Sequence, residues 1–140
     1  MRLWHIELVP YLPKQMLVSQ WRECIAIKRQ WEKGTLKHRL VSYVMDYDRI
    51  VFYDYVFAVY LELQYRNIKC NINLLNEMFM FCSYEPIKKI FYYPEHNDIY
   101  LRQCLYNLEE KAIRGIISKE EWLIIYNKFK YDFNLWNGEE

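Results

Sequence analysis

Apolar residues recur at helical spacing through most of this chain and stop at a few punctuating positions. Between Pro13 and Gly34, Met16, Leu17, Trp21, Cys24, Ile25 and Lys28 follow i, i+3/i+4 spacing. That pattern predicts a helix with Pro13 in its first turn and Gly34 at its end. Lys14, Gln15, Ser19, Arg22, Glu23 and Arg29 fall largely off the stripe, which places Arg22 and Glu23 near the boundary facing the N-terminal arm. The stretch 35–47 reads as a loop with a helical turn around Val41–Met45. Residues 48–66 (DRIVFYDYVFAVYLELQYR) are apolar and aromatic on most sides and predict the central, most buried helix. A short helix is expected over 72–83, and Pro86 and Pro94 bracket a connector. Asn97 or Asp98 can cap a helix running to about Ile113 and ended by Gly115. Ser118-Lys119-Glu120-Glu121 has the form of a capping box and opens a last helix to about Tyr131.

Residues 1–12 read as an irregular arm, in which Leu3-Trp4 and the alternation Ile6–Leu8 suggest packing. Three glycines and four prolines are too few for a turn-rich β domain. The expectation is an all-α fold: one compact domain over 1–140, a helical array with an irregular N-terminal arm packed against the helices.

Composition narrows the class. With 140 residues, 53% hydrophobic and 26% charged, the chain is neither disordered nor membrane-embedded. No apolar stretch approaches the roughly 18–20 residues of a membrane span. Glu7, Pro10, Pro13 and Lys14 interrupt any signal-peptide core. A cytoplasmic monomer is expected. Cys24, Cys70, Cys82 and Cys104 are widely spaced and read as reduced core thiols. Three histidines, without HExxH or CxxC, point to neither a metal nor a cofactor.

The net charge is only +1, but its distribution is uneven. Residues 1–40 hold eight Lys/Arg against three acids, net +5; the remaining hundred hold eleven against fifteen, net −4. A phosphate-binding face needs clustered charge rather than a high total. The basic end is also the end carrying Met1-Arg2. Because Arg2 is large, Met1 is expected to be retained with a free α-amine. α-Amines as a class titrate near pH ~7.7–8.0, more than two units below lysine, so a useful fraction is nucleophilic at neutral pH. Arg22-Glu23 adds a fixed cation beside a carboxylate. These are the parts needed for imine chemistry on a phosphate-bearing sugar.

The opening MRLWHIELVPYLPKQMLVSQWREC, the stretch KHRLVSYVMDY and the later YPEHNDIYLRQCLYNLEEKAIRG resemble the pyrimidine-dimer DNA glycosylase family (endonuclease V). The resemblance covers most of the chain and is strongest in 1–45 and 92–115. It implies a metal-independent DNA repair enzyme, a glycosylase and AP lyase acting on double-stranded DNA with a lesion or abasic site. The N-terminal α-amine attacks C1′ of the damaged nucleotide, and the resulting imine permits β-elimination of the 3′ phosphate. Carried over residue by residue, Met1 supplies the amine and Glu23 the essential carboxylate. Arg2 and Arg22 match phosphate-contacting arginines, and Gln15 matches a residue near the flipped-out nucleotide. Ala26 stands where the family carries a further arginine, with Lys28 and Arg29 nearby as substitutes.

Lys37, His38 and Arg39 have the composition of a loop contacting the DNA backbone, and His5 is a candidate for contact with DNA or with the catalytic carboxylate. The competing reading is a non-catalytic nucleic-acid- or protein-binding module that keeps the family fold. Met1 standing in the nucleophile's place, Ala26 and the modest net charge are the features that leave room for that second reading.

Overall fold

The computed structural model describes residues 1–83 and 92–136, with side chains to Asp132. Among the described residues there are five α-helices: α1 (Lys14–Glu32), α2 (Arg49–Tyr65), α3 (Ile72–Cys82), α4 (Asp98–Ile113) and α5 (Lys119–Trp136). Two 3₁₀ segments, Ile6–Tyr11 and Ser42–Asp46, complete the regular structure, and no strand occurs among the described residues. The fold is all-α, as the pattern of apolar positions implies. Pro86 and the side chains of Phe133 and Trp136 lie outside the described residues.

Helix ends are set by single residues. At the end of α1 the Gly34 amide donates to the Trp31 carbonyl (3.0 Å) and the Thr35 amide to that of Gln30 (2.8 Å). This Schellman closure requires the left-handed φ of +72° that Gly34 adopts. Gly115 ends α4 in the same way, with Ile116 bonding back to Lys111 at 2.8 Å. Asn67, at φ +57°, closes α2 through Ile68 to Leu63 at 2.9 Å. At the other ends, the Asn97 side chain accepts from the Tyr100 amide (2.9 Å). Ser118 and Glu121 bond reciprocally at 2.8 and 3.0 Å.

Two details depart from expectation. The arm is not irregular throughout: residues 6–11 form a 3₁₀ helix, started by the His5 side chain accepting from the Glu7 amide (3.1 Å) and by Leu8 bonding back to the His5 carbonyl (2.9 Å). Pro10 lacks an amide hydrogen, which keeps the segment short. The second departure is α2, which buries one face only. Val51, Phe52, Tyr55, Val56, Val59 and Leu63 point inward at i, i+3/i+4 spacing, while Phe57, Leu61 and Tyr65 are exposed. Tyr53, Phe57 and Tyr60 stack along its outer side with centroids 5.8 and 6.1 Å apart. Ring-on-ring contact takes the place of burial there.

The chain divides into two compact units. The first comprises Met1–Leu3 and Gln15–Tyr93; the second, Trp4–Lys14 and Pro94 onward. In the first unit, Leu17, Trp21, Cys24 and Ile27 of α1 are buried along with the inner faces of α2 and α3. In the second, Leu8 and Val9 of the 3₁₀ segment are buried, as are Leu101, Cys104, Leu105 and Leu108 of α4 and Ile125 and Phe129 of α5. Tyr11 meets Phe129 edge to face at 5.4 Å. None of the four cysteines is in a disulfide. Burial pushes the Cys82 thiol up to about 12 and raises Cys24 as well, which suits inert core residues.

Candidate active site around Glu23

An α-helix advances about 100° per residue, so every position of α1 has a defined direction. Leu17, Gln20, Trp21, Cys24 and Ile27 share the buried arc. Glu23 lies at its edge and is half-buried. Arg22 lies a further 100° round and is exposed, pointing away from the core rather than toward the arm as the sequence pattern suggests.

At that edge the first residues of the chain are pinned. The Arg2 amide donates to Glu23 Oε2 at 3.4 Å. Gln20 Nε2 donates both to the Arg2 carbonyl (2.9 Å) and to Glu23 Oε2 (3.3 Å). Tyr55, on α2, donates its hydroxyl to Gln20 Oε1 at 3.0 Å. Both backbone polar groups of Arg2 are thus engaged, one by the carboxylate and one by the glutamine. Backbone bond lengths place the Met1 nitrogen within about 3.6 Å of the Arg2 nitrogen. The α-nitrogen therefore lies within roughly 7 Å of the carboxylate oxygen, close enough for one sugar ring to touch both. Met1 itself is 37% exposed, so the approach is open. Among the described residues both hydrogen bonds to Glu23 fall on Oε2.

The remaining candidates separate by position. Gln15, Arg22 and Arg29 succeed one another at seven-residue intervals, which keeps them within about 40° of arc. All three are exposed and form one polar stripe along α1. Lys28 faces elsewhere: its ammonium pairs with Glu32 at 3.0 Å and lies 5.9 Å from the Phe81 ring centre. Of the two proposed substitutes for the arginine missing at Ala26, Arg29 shares the face of Arg22 and Lys28 does not. Lys37, His38 and Arg39 are exposed on the loop after α1, with His38 Nδ1 accepting from the Leu40 amide at 3.3 Å.

His5 turns inward. It is buried, and its ring lies 5.4 Å from that of His96 and 6.2 Å from Tyr100. Burial lowers its pKa, partly opposed by the nearby Glu7 carboxylate. A separate open cavity of about 530 Å³ is lined by Lys28, Glu32, Arg49, Asn76, Glu77, Met80 and Phe81 and includes none of Met1, Arg2, Gln20 or Glu23. Three of its charges are engaged: Lys28 pairs with Glu32, and Arg49 sits 4.1 Å over the Phe81 ring and donates to the Phe81 carbonyl at 3.1 Å.

Comparison with protein families matches residues 1–76 to the family described as pyrimidine dimer DNA glycosylase. The matched segment is more than half of the chain and holds every residue of the pinned cluster. The chain belongs to the pyrimidine dimer DNA glycosylase family. At the family level this is a DNA repair glycosylase. The match ends within α3 and does not extend to 92–115, where the sequence also resembles the family. No curated protein and no solved structure matches the chain. No helix among the described residues is long and apolar enough to cross a membrane.

Sequence reasoning missed Gln20 and Tyr55 in this glycosylase fold. Only one signal pointed to Gln20: a polar residue at a position between Leu17, Trp21 and Cys24, where the stripe calls for an apolar one.

Proposed function

We propose that this chain is a glycosylase and AP lyase for double-stranded DNA containing a lesion or abasic site, working through the Met1 α-amine and Glu23. The observation that carries the reading is the Arg2 amide bonded to Glu23 Oε2, one peptide unit from that amine. In this scheme the amine nitrogen attacks C1′, the glycosidic bond breaks, and the base leaves with a proton. Ring opening gives an imine at C1′. Loss of a C2′ proton then expels the 3′ phosphate, and water releases the enzyme from the sugar fragment. Glu23 stabilises the cationic sugar and relays protons. The elimination runs on the iminium as electron sink, and neither it nor the preceding displacement calls for a metal or other cofactor.

Arg22 and Arg29 would hold phosphates along the stripe that begins at Gln15, with Arg2 at the reacting nucleotide and Lys37, His38 and Arg39 on the flanking backbone. Lys28 would add to the field rather than to direct contact, because it is paired. His5 would act from the interior by starting the 3₁₀ segment. The working form would be a cytoplasmic monomer.

Borohydride reduction in the presence of an abasic duplex tests the scheme. A covalent adduct mapping to Met1 is expected. No adduct from protein with a verified free N-terminal methionine would overturn it. Equal binding to intact and abasic DNA, unchanged by N-terminal acetylation, would then favour a binding module instead.

A further inference from the structure

The geometry points to Gln20, oriented by Tyr55, as the positioning residue that sets the N-terminal arm and the Glu23 carboxylate in register with each other. The inference rests on the proposed amine–carboxylate chemistry for its functional consequence, but the arrangement itself is structural. Gln20 carries two hydrogens on one amide nitrogen, and the two acceptors it meets belong to the two halves of the site. One is the Arg2 carbonyl at 2.9 Å and the other is Glu23 Oε2 at 3.3 Å. An apolar side chain here would fill the space but join neither.

The side-chain amide also has to face the right way. Its nitrogen and oxygen are nearly the same size, so sterics do not choose between the two orientations. The Arg2 carbonyl and the Glu23 carboxylate only accept, so Nε2 must face them, and the Tyr55 hydroxyl holds Oε1 on the other side by donating to it at 3.0 Å. Gln20 is 1% exposed and Tyr55 4%, so these bonds form away from competing water. The resulting chain runs from α2 through Gln20 to the arm and the carboxylate. It holds Arg2 by its carbonyl while Glu23 holds it by its amide. With both sides of that residue fixed, the preceding amine has one soft torsion left on the Arg2 side, ψ of Met1. The Oε2 edge of Glu23 is occupied by these two bonds.

Single-turnover cleavage of an abasic duplex, at saturating protein, tests this with Gln20→Met, Tyr55→Phe and the double variant. Misplacement of a reacting group by about 1 Å costs on the order of 100-fold. Gln20→Met should slow cleavage and borohydride trapping by roughly 10- to 100-fold, and Tyr55→Phe by a smaller factor of roughly 3 to 10. Affinity for a duplex with an uncleavable abasic analogue should stay within about threefold, since the phosphate-binding stripe is untouched.

The double variant separates positioning from folding. Gln20→Met alone takes away the Gln20 acceptor of the Tyr55 hydroxyl, and removing the hydroxyl as well relieves that loss, while the Arg2 carbonyl stays without its Gln20 donor. The melting temperature of the double variant should recover toward wild type while its rate does not. The Arg2 amide, followed by hydrogen exchange, should lose protection in Gln20→Met, whereas the Cys24 and Ile27 amides of α1 keep theirs.

Wild-type rates in Gln20→Met, or a rate loss that recovers together with stability in the double variant, would overturn the inference and leave the proposed chemistry standing. If the wild-type protein itself fails to trap, the chemistry fails instead. The exchange measurement then still decides whether Gln20 fixes Arg2.

Discussion

Replacing His96 by glutamine should remove an acid dependence from the stability of this fold, and the size of the effect follows from the surroundings of the ring. His96 is 7% exposed, accepts from the Ile6 amide through Nδ1 at 3.1 Å, and lies 5.4 Å from His5 and 5.2 Å from Tyr100. Burial, with a smaller contribution from the neighbouring His5, pushes its pKa down from 6.5 to about 3. His5 is lowered too, chiefly by burial, with Glu7 and more distantly Asp98 opposing. The His96 ring is therefore neutral in the folded protein and charged in the unfolded chain below pH 6.5, and His5 is shifted in the same direction. The unfolded state binds more protons in that window, so stability is complete above about pH 6.5 and declines as the pH falls toward 3. For His96 alone the loss is about 1.4 kcal/mol at pH 5.5 and about 2 kcal/mol at pH 5.0, to order of magnitude. Glutamine supplies an uncharged acceptor for the Ile6 amide and does not titrate.

Urea unfolding at pH 7.5, 5.5 and 5.0, followed by tryptophan fluorescence and circular dichroism, gives the two stability curves. Asp54, whose carboxyl is raised by burial, gains stability on acidification, so the difference between wild type and variant is the quantity to compare. Parallel curves for the two proteins between pH 7.5 and 5.0 would refute the reasoning.

Glu23→Gln should lower single-turnover cleavage by about 10²–10⁴-fold while leaving affinity for abasic DNA nearly unchanged. Equal losses in both would argue that the carboxylate only organises the arm. Arg22→Ala and Arg29→Ala should each weaken binding across all DNA sequences and reduce the slope of log affinity against log salt by about 1, measured by fluorescence anisotropy. Lys28→Ala should change that slope less, because its ammonium is paired with Glu32. Gly115→Ala meets no atom within 4 Å, so its cost is the left-handed backbone alone. Calorimetry should show a loss of about 1 kcal/mol, roughly 3–5 °C in melting temperature.

Helix ends were readable in the sequence wherever one residue type has a backbone chemistry few others share. Gly34, Gly115, Asn97 and the Ser118–Glu121 pair all stand where their residue types imply. Asn67 was not readable, because asparagine takes the left-handed conformation only when its neighbours require it. The 3₁₀ arm is too short for periodicity and depends on the His5 ring accepting an amide two residues on. The apolar run of α2 marked what can be buried; how many sides of a helix find a neighbour is a property of the packing.

The site shows the same division more sharply. Glu23 stood out through its resemblance to a family residue, and its place at the edge of the apolar stripe followed from helical spacing. The stripe itself was misjudged: Met16, Ile25 and Lys28 are only half-buried, and Gln20 and Ile27 take the interior. A hydrophobic pattern scores glutamine as a defect in a buried face. Its value here comes from partners 18 and 35 residues away in the chain, the Arg2 carbonyl and the Tyr55 hydroxyl. A buried amide without those bonds would cost stability, whereas with them it becomes the one side chain joining arm, carboxylate and core. A polar residue on an otherwise apolar stripe, one helical turn from a functional carboxylate, is therefore where a positioning residue should be sought in such a chain.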